Sequence, residues 1–382
     1  MDLFIGLVLA VLSSFLIAKA CDGFEEAADY LGRNMTEGTK GATINAIGSS
    51  MPELWVTVIY LFFFMDTTGI AGGIGTTAGS AVFNAMVIPA LVIIFVLRKN
   101  SDTKIILSRP VIIRDGLTLI TAEFFLIYFI GNTLEWYHGF FLMLIYISYA
   151  SWMIFRHKSA NNGGLEKESI EEENETEEEF NDASRLLALF KVDLEHAIIG
   201  NNEIKTGNAL GLLGISTVFI VVACWILVYS CETIGFSLGI HGYFISVIIA
   251  AAASSVPDTI LSVKDAGKGN YDDAVANALG SNIFDICFAL GAPLFIFTLI
   301  YGPIVMDAIV AENITELRIL LLVLTIITFF LFLIYKQMTK NLAYTLLAMY
   351  GVFVAFVAGK AYENPLALEV SRILQTIQNV IF

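Results

Sequence analysis

The chain has 382 residues, of which 57% are hydrophobic, and carries a formal net charge of −15. Soluble domains are roughly 45–50% apolar, so an ordinary soluble enzyme or binding module is excluded and an integral membrane protein is required. The apolar runs are continuous and do not alternate, which calls for helices and not barrel strands; no nucleic-acid partner is expected.

At about 20 residues per crossing, ten spans are predicted: 3–20, 42–64, 69–97, 111–131, 137–155, 208–230, 241–263, 271–299, 316–335 and 341–360. Beside the first run, Ala18-Lys19-Ala20 imitates a signal-peptidase site, but Asp2 and no basic residue precedes it, so it reads as a true span. The second run carries "NAIGSSMPELW" (45–55), a proline followed at once by a glutamate. An ionisable side chain at membrane depth costs roughly 2.5–3.5 kcal/mol on insertion scales, so Glu53 is not filler. In the third run "GSAVFNAMVIPA", from Gly79, places Asn84 among apolar residues. Between the fifth and sixth runs, "EKESIEEENETEEEFND" (166–182) holds much of the acid. It reads as a solvated hinge between two halves, with cation sensing or the binding of a regulator as the alternative. Residues 183–200 look amphipathic and are expected on the cytoplasmic membrane face. The seventh and eighth runs carry "SSVPDT" from Ser254 and "GSNIFDICFALGAP" from Gly280. The tail after Pro365 reads as an interfacial helix or a packing end.

The chain therefore divides into a first five-helix repeat (1–155), an acidic cytoplasmic linker (156–207), a second five-helix repeat (208–360) and a C-terminal tail (361–382). Cys21, Cys224, Cys231 and Cys287 form no C-x-x-C pair and read as small core residues. The four histidines lack metal-ligand spacing. Placing the N-terminus outside puts 18 of the 21 basic residues in cytoplasmic loops, leaving only Arg318, Lys360 and Arg372 elsewhere. The positive-inside rule then predicts a multi-pass cell-membrane protein with both termini outside.

The halves resemble each other. "SSMPEL" aligns with "SSVPDT", "GSAVFN" with "GSNIFD", and "ACD" with "SCE". With five spans per half, an odd number, the second half enters the membrane inverted, which is the plan of secondary transporters with a site near the midplane. The alignment sets Glu53 opposite Asp258 and Asn84 opposite Asp285. Pro52 and Pro257 each remove a helical hydrogen bond to the carbonyl four residues back, at Gly48 and Ala253. Ser80 precedes Asn84 by four residues and Ser281 precedes Asp285 by four, so each hydroxyl is expected on the face of its amide or carboxylate. Ser49, Ser50, Ser254 and Ser255 flank the two prolines. All these donors are oxygens, as hard cations such as Ca²⁺ require; zinc or copper would call for imidazoles and thiolates.

At these residues the sequence resembles the calcium/cation antiporter superfamily. "GATINAIGSSMPEL", "GTTAGSAVFN", "SSVPD" and "GSNIFD" are most similar to the potassium-dependent sodium/calcium exchangers, over residues 38–97 and 241–299. The resemblance implies a sodium/calcium exchanger-like fold: an all-α membrane protein of ten transmembrane helices in two inverted five-helix repeats. It implies Glu53 and Asp258 as central Ca²⁺ and Na⁺ ligands, completed by Asn84 and Asp285. Outer ligands would come from Ser49, Ser50, Ser80, Ser254, Ser255 and Ser281 with the Gly48 and Ala253 carbonyls. Asp285 matches the aspartate associated with K⁺ dependence, although other superfamily members carry an acid there without needing K⁺. One departure is Ala253-Ser254, where the family often has Gly-Thr.

The expected function is secondary antiport of Na⁺ against Ca²⁺ by alternating access, with K⁺ co-transport as an open extension, no organic cofactor and no enzymatic step. By the resemblance, spans one and six form the gate. The runner-up is a H⁺/Ca²⁺ exchanger. A passive cation channel and an intramembrane aspartyl protease using Asp258 and Asp285 are weaker rivals, and without G-x-x-x-x-G-K-[ST] a P-loop pump has no support.

Overall fold

The computed structural model describes residues 1–33, 46–64, 67–129, 131, 133–160, 188–189, 191–200, 204–335 and 337–381. Among these, nine helices are long and apolar enough to cross a membrane. They are span 1 (Asp2–Leu31), span 2 (Ala46–Phe63), span 3 (Gly69–Lys99), span 5 (Trp136–Phe155), span 6 (Thr206–Leu238), span 7 (Gly242–Gly267), span 8 (Tyr271–Tyr301), span 9 (Ala308–Ile334) and span 10 (Lys340–Ala361). Span 4 (Arg109–Phe129) is more polar and completes the ten. Its buried Asp115 is held by Arg114, at 2.6 and 2.7 Å, and by the Tyr149 hydroxyl.

Several helices outrun the predicted spans. Span 1 continues to Leu31 through Lys19, Asp22, Glu25, Glu26 and Asp29. Hydropathy marks where a helix leaves the hydrocarbon, not where its backbone hydrogen bonds stop. The expected amphipathic stretch 183–200 shows, among its described residues, a five-residue helix, Leu194–Ile198, capped by Asp193. The acidic run 166–182 and the motif residues 41–45 lie outside the described residues. The tail is a helix, Pro365–Ile381. It is fastened to span 9 by hydrogen bonds from Ser371 and Gln375 to Glu316, which also pairs with Lys360 at 2.8 Å.

Two loop contacts display the inversion. Thr133 and Leu134, after span 4, pair antiparallel with Val305 and Ile304, before span 9. Ile105, before span 4, bridges to Met338, after span 9. Exchanging span 4 for span 9 turns one contact into the other, and an up-and-down chain places the two at opposite ends of the bundle.

Among the described residues, buried apolar side chains gather in two large bodies and a small third cluster of Ile127, Ile319 and Leu374. One is built from spans 2–5 and 7–10. The other joins spans 1 and 6, which run along each other, to Val56, Ile59 and Tyr60 of span 2 and Ala250 and Ala253 of span 7. The ion-ligand candidates sit where the two bodies meet.

Candidate ion-binding centre

The backbone opens at matched serines. In span 2 the α-helix Ala46–Ser49 gives way at Ser50 (φ −96°, ψ 9°) to Met51–Ile59. In span 7 Ala251–Ser254 gives way at Ser255 (φ −82°, ψ 5°) to Val256–Gly267. Both ψ angles depart from the helical value near −42°. Pro52 and Pro257 stand in the first turn of the second piece, where a missing N–H costs no helical bond. The prolines thus start new half-helices.

Glu53 and Asp258 also fall in those first turns. A helix N-terminus favours negative charge, and the C-terminal carbonyl ends of the preceding pieces, which include Gly48 and Ala253, favour cations. Each repeat therefore brings a carboxylate and a negative backbone end to the same level of the membrane.

Spans 3 and 8 complete the centre. Span 3 approaches span 7 so closely that a Cβ on Gly79 would lie 2.1 Å from the Val247 carbonyl oxygen. Ser80 Oγ then stands 3.2 Å from Glu53 Oε1, 3.2 Å from Asp285 Oδ2 and 2.7 Å from Ser255 Oγ. Asn84 Nδ2 donates to Asp258 Oδ2 at 3.0 Å, and Ser281 Oγ donates to Asp258 Oδ1 at 2.7 Å. Ser49 is placed beside Asp258, and Ser254 beside Glu53.

Glu53, Asp258 and Asp285 each offer an oxygen within 4.8 Å of the others. All three, with Asn84 and the six serines, are fully buried. Ser50 Oγ, Glu53 Oε2, Asn84 Oδ1 and Asp285 Oδ1 have no hydrogen-bond partner among the described residues. Buried polar atoms are nearly always partnered. Four orphan oxygens, two of them on the carboxylates themselves, are of the donor type that hard cations take.

A family model described as sodium/calcium exchanger protein matches residues 5–155 and 208–359, most of the chain and once in each half. The chain belongs to the sodium/calcium exchanger family. Human sodium/potassium/calcium exchanger 3 is 35% identical over 144 residues, 37% of this chain and 22% of that protein. Sodium/potassium/calcium exchanger 1 of Bos taurus is 33% identical over 154 residues, 40% of this chain and 12% of that protein. The matches thus span less than a quarter of these relatives' own length. Among solved structures, the sodium-calcium exchanger NCX_Mj soaked with zero Na⁺ and Ca²⁺ aligns with a TM-score of 0.54 at 20% identity, over 92% of this chain and 99% of that one. The H⁺/Ca²⁺ exchanger CAX aligns with a TM-score of 0.59 at 13% identity, over 97% of this chain and 92% of that one. At these identities the likeness concerns the fold, and it is the two-repeat helical fold expected from the sequence.

All twelve residues singled out in this exchanger-family sequence lie in or beside the two helix breaks and the paired Gly-Ser turns. Ser281 precedes Asp285 by one helical turn, and its hydroxyl donates across to Asp258. Four-residue spacing fixes a face, while the partner is decided by whichever helix lies against it.

Sequence reasoning passed over other buried polar residues. Asn282 Nδ2 donates to the Ala81 carbonyl, tying span 8 to span 3. Thr325 donates to the buried Glu123 at 2.7 Å, and the buried Arg318 donates to the Leu126 carbonyl. Glu123 and Arg318 fall inside predicted spans, so their charge alone was a usable signal.

Proposed function

We propose that the chain is a secondary active antiporter that exchanges Na⁺ for Ca²⁺ across a membrane by alternating access. The observation that carries this reading is the buried meeting of Glu53, Asp258 and Asp285 with unpartnered oxygens beside them. Three ionised carboxylates carry −3, and their charge must be offset where water is scarce. One Ca²⁺ leaves −1, which a K⁺ or a proton can offset; several Na⁺ can neutralise the same ring. Ion sets competing for shared ligands produce antiport when the partly neutralised carrier reorients slowly.

Spans 1 and 6 would slide as the gate over the eight-helix body, a division supported by the two large apolar clusters. K⁺ co-transport is the finer part of the proposal, resting on Asp285 and on the names of the sodium/potassium/calcium exchangers. The distribution of basic residues supports N-terminus and C-terminus outside, with the 5–6 linker in the cytoplasm.

The test is ⁴⁵Ca²⁺ uptake into proteoliposomes preloaded with Na⁺, with and without K⁺. Uptake should require internal Na⁺ and vanish in Glu53→Gln and Asp258→Asn, and any K⁺ requirement should disappear in Asp285→Asn. Uptake driven by a pH gradient and indifferent to Na⁺ would make the protein a H⁺/Ca²⁺ exchanger instead, and uptake without any counter-ion gradient would make it a channel.

A further inference from the structure

Among the described residues, a file of polar residues leaves the ion centre toward the membrane face that bears the 7–8 loop. On span 8, Asp285, Ser281, Asn277 and Asp273 recur every four residues, along one side of the helix. On span 7, Ser262 follows Asp258 by four and Asp265 follows three later. The two rows face each other. Ser281 bonds Asp258, and one turn further out Asn277 Nδ2 donates to Ser262 Oγ at 3.2 Å. At the mouth, beside the 7–8 loop, half-buried Asp265 and exposed Asp273 lie within charge range of each other.

Asn277 and Ser262 are 5% and 0% exposed, yet Asn277 Oδ1 has no hydrogen-bond partner among the described residues. A buried amide left half-paired is costly, and polar groups at this depth commonly line ion routes.

The mirrored file in the first repeat ends differently. From Asn84 and Ser80 it continues to Thr76 and Gly72 on span 3, and from Glu53 to Thr57 and Tyr60 on span 2. Thr57 and Thr76 spend their hydroxyls on the carbonyls of Glu53 and Gly72, at 2.8 and 2.9 Å. The Tyr60 ring then closes the seam against Gly72, where a Cβ would lie 2.5 Å from it. The repeats are alike at the centre and unlike one turn away.

We propose that Asn277 and Ser262 form a transient cation subsite through which ions pass between the centre and the Asp265–Asp273 mouth. Two neutral oxygens replace part of a hydration shell without a carboxylate to trap the ion. That suits a waypoint, which must be favourable enough to enter and weak enough to leave. The inference deepens the antiport reading and rests on it for the identity of the ions.

The test is the half-saturating Ca²⁺ concentration measured separately at each face in oriented vesicles, under whichever gradient, Na⁺ or H⁺, drives the wild-type flux. Asn277→Ala should raise it about three- to tenfold at the face bearing Lys264 and Lys268, the effect of losing one neutral polar partner, and leave the opposite face unchanged. Asn277→Asp should lower it at the same face and slow turnover. Thr76→Val, the mirrored position, should leave the Lys264 face unchanged. Equal shifts at both faces, or none, would overturn the subsite while leaving exchange intact. A wild type carrying no Ca²⁺ flux under either gradient would overturn both.

Discussion

Ser80 has a single hydroxyl proton and three oxygens around it: Glu53 Oε1, Asp285 Oδ2 and Ser255 Oγ. It can donate to only one of the two carboxylates at a time, while the Ser255 hydroxyl can donate to Ser80 in turn and Asn84 Nδ2 donates to it at 3.5 Å. Two carboxylates sharing one donor are an arrangement that an entering cation would relieve, and on the proposed reading Ser80 is one of its ligands. Ser80→Ala is therefore expected to fold normally and raise half-saturating Ca²⁺ by about three- to tenfold, for the loss of one neutral partner at about 0.5–1.5 kcal/mol. Titrating the initial ⁴⁵Ca²⁺ uptake rate checks it. An unchanged value would remove Ser80 from the ligand set. Asn84 differs, since its Nδ2 donates to Asp258 while its Oδ1 has no hydrogen-bond partner among the described residues. Asn84→Asp removes that donor and adds a like charge, and uptake at fixed Ca²⁺ should fall at least about tenfold.

Among the elements, the paired Gly-Ser turns look alike in sequence and differ in packing. At Gly79 a Cβ would meet the Val247 carbonyl oxygen at 2.1 Å, while at Gly280 its nearest neighbour would be Ala46 Cβ at 3.9 Å. Gly79→Ala should cost about 1–3 kcal/mol through overpacking, seen as a lower melting temperature in detergent, whereas Gly280→Ala should melt near the wild type. The sequence made the two turns legible as a pair, because a repeated Gly-Ser with a polar residue four positions later is a pattern. It could not say which glycine is crowded, since that depends on Val247, far along the chain. Asp285 shows the same limit. It opens a π-helical turn, Asp285–Ala289, closed by Leu290 N–H on the Asp285 carbonyl at 3.0 Å, whereas its counterpart Asn84 lies in an uninterrupted α-helix. Turns of this type are frequent at functional sites, and nothing in "GSNIFDICFALGAP" announces one. The ten spans were legible because unbroken apolar runs of about 20 residues match the thickness of a bilayer and seldom occur in water-soluble chains. Their ends were not, because charged residues extend a helix past the hydrocarbon.

At the scale of the molecule, a gate can slide only if little anchors it. At the end bearing the 7–8 loop, span 1 touches span 7 through the exposed pair Lys264 Nζ to Asp22 Oδ1, at 3.3 Å, and such pairs contribute at most about 1 kcal/mol. Replacing it by Asp22→Cys with Lys264→Cys and bridging the thiols with a short, reducible bifunctional reagent should abolish Ca²⁺ uptake, and reduction should restore it. Full activity in the bridged protein would mean that span 1 does not move against span 7. The four native cysteines are buried and leave the introduced pair as the accessible thiols. The division of the donor set has a different consequence. Ser49, Ser50, Glu53, Ser80 and Asn84 come from one repeat, and Ser254, Ser255, Asp258, Ser281 and Asp285 from the other. On the proposed ligand set neither half owns a complete coordination shell, and selectivity would reside in the seam. Two polypeptides made separately, cut within the 5–6 linker, would each insert as an incompetent piece and acquire cation affinity only on meeting in the bilayer.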